Sequence, residues 1–152
     1  MWLAFLSWWI YLRKPAGESL LRLRPGVGAG AGIVLAAAGV ALYVWASLTL
    51  ASAVPRALAA PSALLKRGPY RYVRNPLYVG AGAVFVGVGT LYAPWRPWDL
   101  VAVGVVALLA HLFVVRREEP ATRRRLGSTY DEYCAEVPRW IPRIFGAERR
   151  LP

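Results

Sequence analysis

Long uncharged apolar runs alternate along this chain with short polar gaps, and the runs are longer than a soluble helix or strand needs. Gly26 to Val54 contains no charged residue and is closed by Pro55. Roughly 20 apolar residues cross a bilayer as a helix, so this run predicts a membrane span. A second run, Leu77 to Tyr92, is opened by Pro76, and a third covers Leu100 to Val115. The third gains length if the stems of Arg116 and Arg117 snorkel toward water. Between these two, Ala93 to Asp99 holds two prolines and two tryptophans and predicts a tight aromatic turn at the interface.

Met1 to Leu12 is apolar and rich in aromatic residues, with Trp2, Trp8, Trp9 and Tyr11. It is short for a span, and Trp and Tyr favour the headgroup level, so it either crosses or lies along the interface; topology favours crossing. No basic segment precedes it and no small-residue cleavage site follows, which predicts an uncleaved first helix. The pattern therefore predicts an all-α integral membrane bundle of about four transmembrane helices, ending in a basic amphipathic tail from Pro120. It reads as one domain, with N-terminal helices over 1–63, a core over 64–142 and a tail over 143–152.

Glycines punctuate two of the runs. Gly26, Gly28, Gly30 and Gly32 alternate, but no strand precedes them and no Lys or Ser/Thr completes a phosphate-binding loop. Gly28 and Gly32 are spaced for close helix packing, and Gly80, Gly82, Gly87 and Gly89 would narrow one side of the third helix. Packing is the expected role.

Composition sharpens this picture. Of the 152 residues, 57% are hydrophobic, which departs from soluble norms toward membrane proteins. The net charge of +11 does not form one stripe, as a nucleic-acid surface would; it collects in the gaps and the tail. If the first segment spans, residues 55–75 and 116–152 share one side with fourteen Lys and Arg, against five on the other. The first side is then cytoplasmic. Seventeen of the nineteen basic residues are Arg, which with abundant Ala, Gly and Pro suggests a GC-rich bacterial source. The single cysteine, Cys134, excludes an internal disulfide and a cysteine-based metal cluster, and no metal site is expected.

Chemistry is expected in the connector Gly68-Pro69-Tyr70-Arg71-Tyr72-Val73-Arg74-Asn75-Pro76-Leu77-Tyr78-Val79-Gly80. Asn75 before Pro76 should be extended, and Pro76 should open the next helix. Arg71 and Arg74 are donors for a carboxylate or for lipid headgroups. Tyr70, Tyr72 and Tyr78 are aromatic-belt residues or faces for a cation, with Tyr78 best placed for the second role and Tyr72 for the first. Ser62 to Lys66 predicts a short helical turn ahead of the connector.

The last apolar run leads into Arg116-Arg117-Glu118-Glu119. Two carboxylates at a membrane edge form an exposed ion-pair cluster or hold a cationic amine. His111, the only histidine, lies seven residues before Glu118, about two helical turns, and serves either a binding site or helix packing. Tyr130, Tyr133 and Trp140 are expected to cover the site, shaped by Pro138 and Pro142.

The pattern Gly-Pro-Tyr-Arg-x-x-Arg-Asn-Pro-x-Tyr-x-Gly, followed by a hairpin, Glu118-Glu119, Leu126-Gly127, Tyr130, Tyr133 and Val137-Pro138-Arg139-Trp140-Ile141-Pro142, resembles the isoprenylcysteine carboxyl methyltransferase and phospholipid methyltransferase group. The resemblance covers residues 64–142. It implies a membrane methyltransferase that binds S-adenosylmethionine at cytoplasmic helix ends and methylates a lipophilic small molecule or lipid, such as an isoprenoid carboxylate or thiol. Arg71 and Arg74 would act at the reacting groups. Cofactor contact would come from Tyr70, Arg74, Asn75, Pro76, Tyr78, Gly80, Glu118 and Glu119, with His111 a further candidate on its own position. Asn75 stands where many relatives have His, and Thr122 where a Leu is usual. Pro120 favours a break beside the carboxylates.

A carboxylate acceptor needs no general base and a protonated amine does, so the lack of an obvious base favours an oxygen or thiolate acceptor. Two other readings compete. A sterol-reductase-like membrane enzyme would bind NADPH, and a non-enzymatic membrane subunit would use its basic loops only to grip anionic lipid. The acceptor and the oligomeric state are not specified by the sequence.

Overall fold

The computed structural model describes residues 27–59, 64–91 and 97–142, and among them every regular element is helical. α1 spans Val27–Ala59, α2 Pro76–Leu91, α3 Pro97–Phe113, α4 Glu119–Leu126 and α5 Ser128–Glu136. A 3-10 turn, Gly68–Arg71, lies in the connector, and a π-helical turn, Val114–Glu118, joins α3 to α4. Met1 to Leu12, the aromatic turn through Arg96 and the last ten residues lie outside the described set.

Two helices are long and apolar enough to cross a membrane, Gly28–Ala53 and Asp99–Leu126. Only 11% of the most apolar window in each is buried, which a soluble core helix of that composition would not tolerate. Ile33, Val34 and Leu48 on α1 and Leu108 and Leu109 on α3 are all more than half exposed. Such faces need a hydrocarbon environment. α2 has 16 residues and so measures about 24 Å, short of the roughly 30 Å hydrocarbon core. The described residues carry two helices of spanning length, and the first of the four expected segments, Met1 to Leu12, lies outside them.

Three expected boundaries move. α1 does not stop at Pro55 but runs to Ala59, because a proline removes one helical bond while the Ala, Leu and Arg around it are strong helix formers. Leu64 to Lys66 is not helical; the turn forms four residues later, where Pro69 presets its backbone angle. The last span continues past Val115 through the π-helical turn to Leu126.

The chain divides into two compact units, each taking parts of α1, α2 and α3. In Met1–Val40 with Gly80–Ala110, α1 and α2 run antiparallel at backbone contact. A Cβ added to Gly32 would lie 2.7 Å from the Gly87 carbonyl, and one added to Gly39 would lie 2.7 Å from that of Gly80. Each pair of glycines is seven residues apart, two turns, so one face of each helix is flat at both crossing points. Gly30 and Gly82, by contrast, face open space.

In Ala41–Val79 with His111–Pro152, the connector lies against α1. Gly68 has φ +55°, and a Cβ there would meet Thr49 Oγ1 at 2.7 Å, so both conformation and space call for glycine. The core of this unit is Leu126, Tyr130, Tyr133 and Val137, with Leu64 and Cys134 packed on it. Tyr130 and Tyr133, about one turn apart, share a face of α5, while Leu126 comes from the end of α4 and Val137 from the residue after α5. Gly127, at φ +58°, turns α4 into α5.

Candidate functional site

Asn75 accepts the Val79 amide hydrogen through its carbonyl, and Pro76 opens α2 as its fixed φ allows. This sends Tyr78 into the first turn of α2. The connector is tied down from the tail: the Tyr133 hydroxyl donates to the Tyr70 carbonyl at 2.7 Å, and the Arg74 amide donates to the Pro138 carbonyl at 2.9 Å.

The π-helical turn aims the two carboxylates differently. Pro120 has no amide hydrogen for the Arg116 carbonyl, and its ring would crowd that carbonyl in a regular helix. One extra residue enters the turn instead, and the Glu119 amide bonds back five residues to Val114. The expected break at Pro120 is thus an inserted residue rather than a stop.

Glu119 is buried and receives three hydrogen bonds. Arg139 donates Nε to Oε1 at 2.7 Å and Nη2 to Oε2 at 2.8 Å, while Arg74 Nη1 reaches Oε1 at 3.0 Å. Arg74 Nη1 also approaches Cys134 Sγ at 2.7 Å. Bonding to Glu119 raises the pKa of Arg139, so it stays charged. Arg74 Nε is buried and has no hydrogen-bond partner among the described residues.

Glu118 is half-buried and differently held. Its Oε1 accepts the Tyr78 hydroxyl at 2.8 Å, and its backbone carbonyl accepts the Thr122 hydroxyl at 2.9 Å. Burial, followed by the charge of Glu118, pushes the Tyr70 phenol above its usual pKa, which brings Tyr70 into the same electrostatic neighbourhood. Trp140 donates Nε1 to His111 Nδ1 at 3.1 Å and meets the Tyr78 ring edge to face, centroids 6.2 Å apart.

The sequence-selected residues thus fall into three groups. Tyr70, Arg74, Asn75, Tyr78, His111, Glu118 and Glu119 belong to one unit and are joined by contacts through the tail, and Pro76 is buried in the same unit. Arg71 is exposed, its guanidinium 5.9 Å from the Tyr72 ring centre. Gly80 belongs to the other unit, where its carbonyl lies against Gly39. Sequence reasoning missed Arg139, whose carbonyl also accepts from Asn75 Nδ2 at 3.3 Å. It missed the hydrogen-bonding roles of Cys134 and Trp140 as well. Among the described residues no group of three His, Cys, Asp or Glu side chains is disposed to hold a metal.

Among the described residues every regular element is helical, two helices are long and apolar enough to cross a membrane, and a cluster of polar groups lies where the second of them gives way to charge. Residues 29–129 match the phospholipid methyltransferase family, and the chain belongs to that family. The match starts in α1 and stops within α5, so Arg139 and Trp140 lie beyond it. No curated protein matches the chain, and no solved structure does. The family does not favour the reductase or the non-enzymatic reading.

Proposed function

We propose that this protein moves a methyl group from S-adenosylmethionine to a lipophilic acceptor at the cytoplasmic surface of the membrane, in a cell membrane it crosses more than once. The observation that supports this most is the division of labour between adjacent carboxylates. Glu119 is consumed by two arginines, while Glu118 uses a single oxygen among the described residues. A half-buried carboxylate held ready by Tyr78 suits an amine or ribose hydroxyl, and the guanidinium of Arg74, whose Nε has no partner among the described residues, suits the carboxylate end of the same molecule.

Glu118, Arg74 and Asn75 would hold the cofactor by hydrogen bonds, with Tyr70 and Tyr78 offering ring faces to its positive charge, each worth about 0.5–2 kcal/mol. Pro76 fixes the backbone from which they project. When bound, S-adenosylmethionine supplies a methyl group on a sulfonium, open to in-line attack. The chain's own work is then alignment and exclusion of water, which in well-oriented systems lowers a barrier by about 7–11 kcal/mol. Trp140 and the Val137–Pro142 strap would cover the polar groups; Arg71, on the exposed side, would meet acidic headgroups. Glu119 keeps Arg74 oriented rather than touching the cofactor.

The test is transfer of labelled methyl from S-adenosylmethionine to dodecanoate, dodecanethiol or phosphatidylethanolamine by protein in nanodiscs. Label that enters any of these with the unaltered chain and is lost with Glu118→Gln supports the reading. Absence of transfer to all three by protein that binds the cofactor would confine the acceptor to another class, and absence of cofactor binding would overturn the reading.

A further inference from the structure

Ile141 is 81% exposed, more than any other large apolar side chain among the described residues. A single exposed isoleucine on a water-facing surface would need no explanation. This one is held in a particular place by its two predecessors. Arg139 clasps Glu119 with its side chain and accepts from Asn75 with its carbonyl. Trp140 then reaches α3, where its Nε1 lies 3.1 Å from His111 Nδ1 and the two ring centroids are 6.0 Å apart. The strap therefore leaves the carboxylates and turns back along the apolar helix. All of these residues belong to one compact unit.

The level at which it docks follows from the helix. His111 lies within Asp99–Leu126, one of the two helices able to cross a membrane. It precedes Arg116, the first charge after the apolar run, by five residues, which is about 7.5 Å along the axis. Segments that lie in a bilayer interface bury their apolar side chains about 5–10 Å below the headgroups. Trp140 thus sits at the depth that tryptophan favours, and the Cα of Ile141 is about 3.8 Å further on. Phe113, between His111 and Arg116 on the same helix, is 51% exposed as well. The isoleucine continues an apolar surface that the spanning helix already presents to lipid.

We propose that the Trp140–Ile141 corner of the strap is a membrane anchor, docked at the acyl-chain boundary of the leaflet on the Glu118 side. Its partner is the phospholipid bilayer itself. Ile141 enters the lipid, Trp140 joins the corner to α3, and the exposed Arg116 and Arg117 lie at the headgroup level above it. Since Trp140 also meets the Tyr78 ring, and Tyr78 donates to Glu118, the anchor fastens the cover over the carboxylates from the bilayer side. The anchor does not depend on the methyl-transfer reading.

The chain has four isoleucines, Ile10, Ile33, Ile141 and Ile144, so methyl-labelled isoleucine gives a simple spectrum of the full chain in phosphatidylcholine nanodiscs. The Ile141 signal is assigned by its disappearance in Ile141→Val, a change that keeps the apolar corner. Two broadening agents are compared: a phospholipid with a nitroxide near the head of its acyl chain, and a gadolinium chelate confined to water. Ile141 should lose most of its intensity to the lipid nitroxide and keep it in the chelate, as should Ile33, exposed on α1, which serves as the lipid-facing reference. Loss of the Ile141 signal to the chelate would place the corner in water and overturn the proposal. An Ile141 signal that neither agent broadens, beside an Ile33 signal that the nitroxide does, would mean that protein covers it and would overturn the proposal too. No cofactor or acceptor is present, so either outcome leaves the methyl-transfer reading where it stands.

Discussion

Arg139 grips Glu119 with two parallel hydrogen bonds, Nε to Oε1 at 2.7 Å and Nη2 to Oε2 at 2.8 Å. This planar fork ties the tail to the start of α4, and Glu119 passes the constraint to Arg74 in the connector. Three segments far apart in sequence thereby share one buried charge. Lysine at 139 would supply the charge without the fork.

Removing the shared carboxylate leaves two guanidiniums without it, one of them only 11% exposed. Glu119→Gln should therefore lower stability by about 3–5 kcal/mol, the usual cost of breaking a buried ion pair. Arg139→Lys should cost less, since its side chain is 30% exposed. Thermal unfolding in detergent would give both, and equal stability of Glu119→Gln and wild type would contradict the shared-charge account.

Glu118→Gln is expected to behave in the opposite way. Its backbone stays in the π-helical turn and the Tyr78 hydroxyl can still donate to an amide oxygen, so unfolding should change by less than about 1 kcal/mol. Affinity for S-adenosylmethionine should fall at least tenfold through loss of the negative charge, or about 1.4 kcal/mol. A titration showing wild-type affinity would remove Glu118 from the site.

The α1–α2 crossing predicts a contrast among glycines. Alanine at Gly87 would place its Cβ 2.5 Å from the Ala36 nitrogen, and alanine at Gly39 2.7 Å from the Gly80 carbonyl. Backbone cannot give way as a flexible side chain does, so each should cost about 1–3 kcal/mol. Gly30→Ala and Gly82→Ala meet nothing within 4 Å and should instead gain up to about 1 kcal/mol in helix propensity. Unfolding of the four variants side by side checks the direction.

The tail core should loosen at high pH. Burial, with the neighbouring Cys134 and Glu119, pushes the Tyr130 phenol from 10.0 up to about 12, and burial raises Tyr133 in the same direction. A raised folded-state pKa means the folded form keeps its proton longer. Its stabilising contribution is complete below about pH 10 and is lost between pH 10 and 12. Tyr130→Phe should show a shallower loss of stability across that window. An identical slope would place the alkaline transition elsewhere.

Much of the candidate cluster was legible because the connector and the carboxylates carry residue types that apolar helices avoid. Pro76 announced the start of α2, and the run to Val54 announced a spanning helix. Other features depended on contacts that no local pattern encodes. Pro120 signalled a disturbance, but whether a helix breaks or inserts a residue depends on the segment that follows it. Which glycines matter depended on the facing helix: Gly32 and Gly39 pair with Gly87 and Gly80, whereas Gly30 and Gly82 pair with nothing. Arg139 looked like one more basic tail residue. Tyr130 and Tyr133 lie in a core rather than in the expected cover over the site, because Leu126 before the turn at Gly127 and Val137 after α5 close on them, which spacing along one helix does not encode.

The central claim is a cofactor site, and calorimetric titration of the full chain with S-adenosylmethionine, S-adenosylhomocysteine and NADPH tests it most directly. The account predicts saturable binding of the first two, loss of that binding in Glu118→Gln, and no heat from NADPH beyond dilution. Folded protein that binds neither sulfur ligand, or that binds NADPH alone, would contradict it.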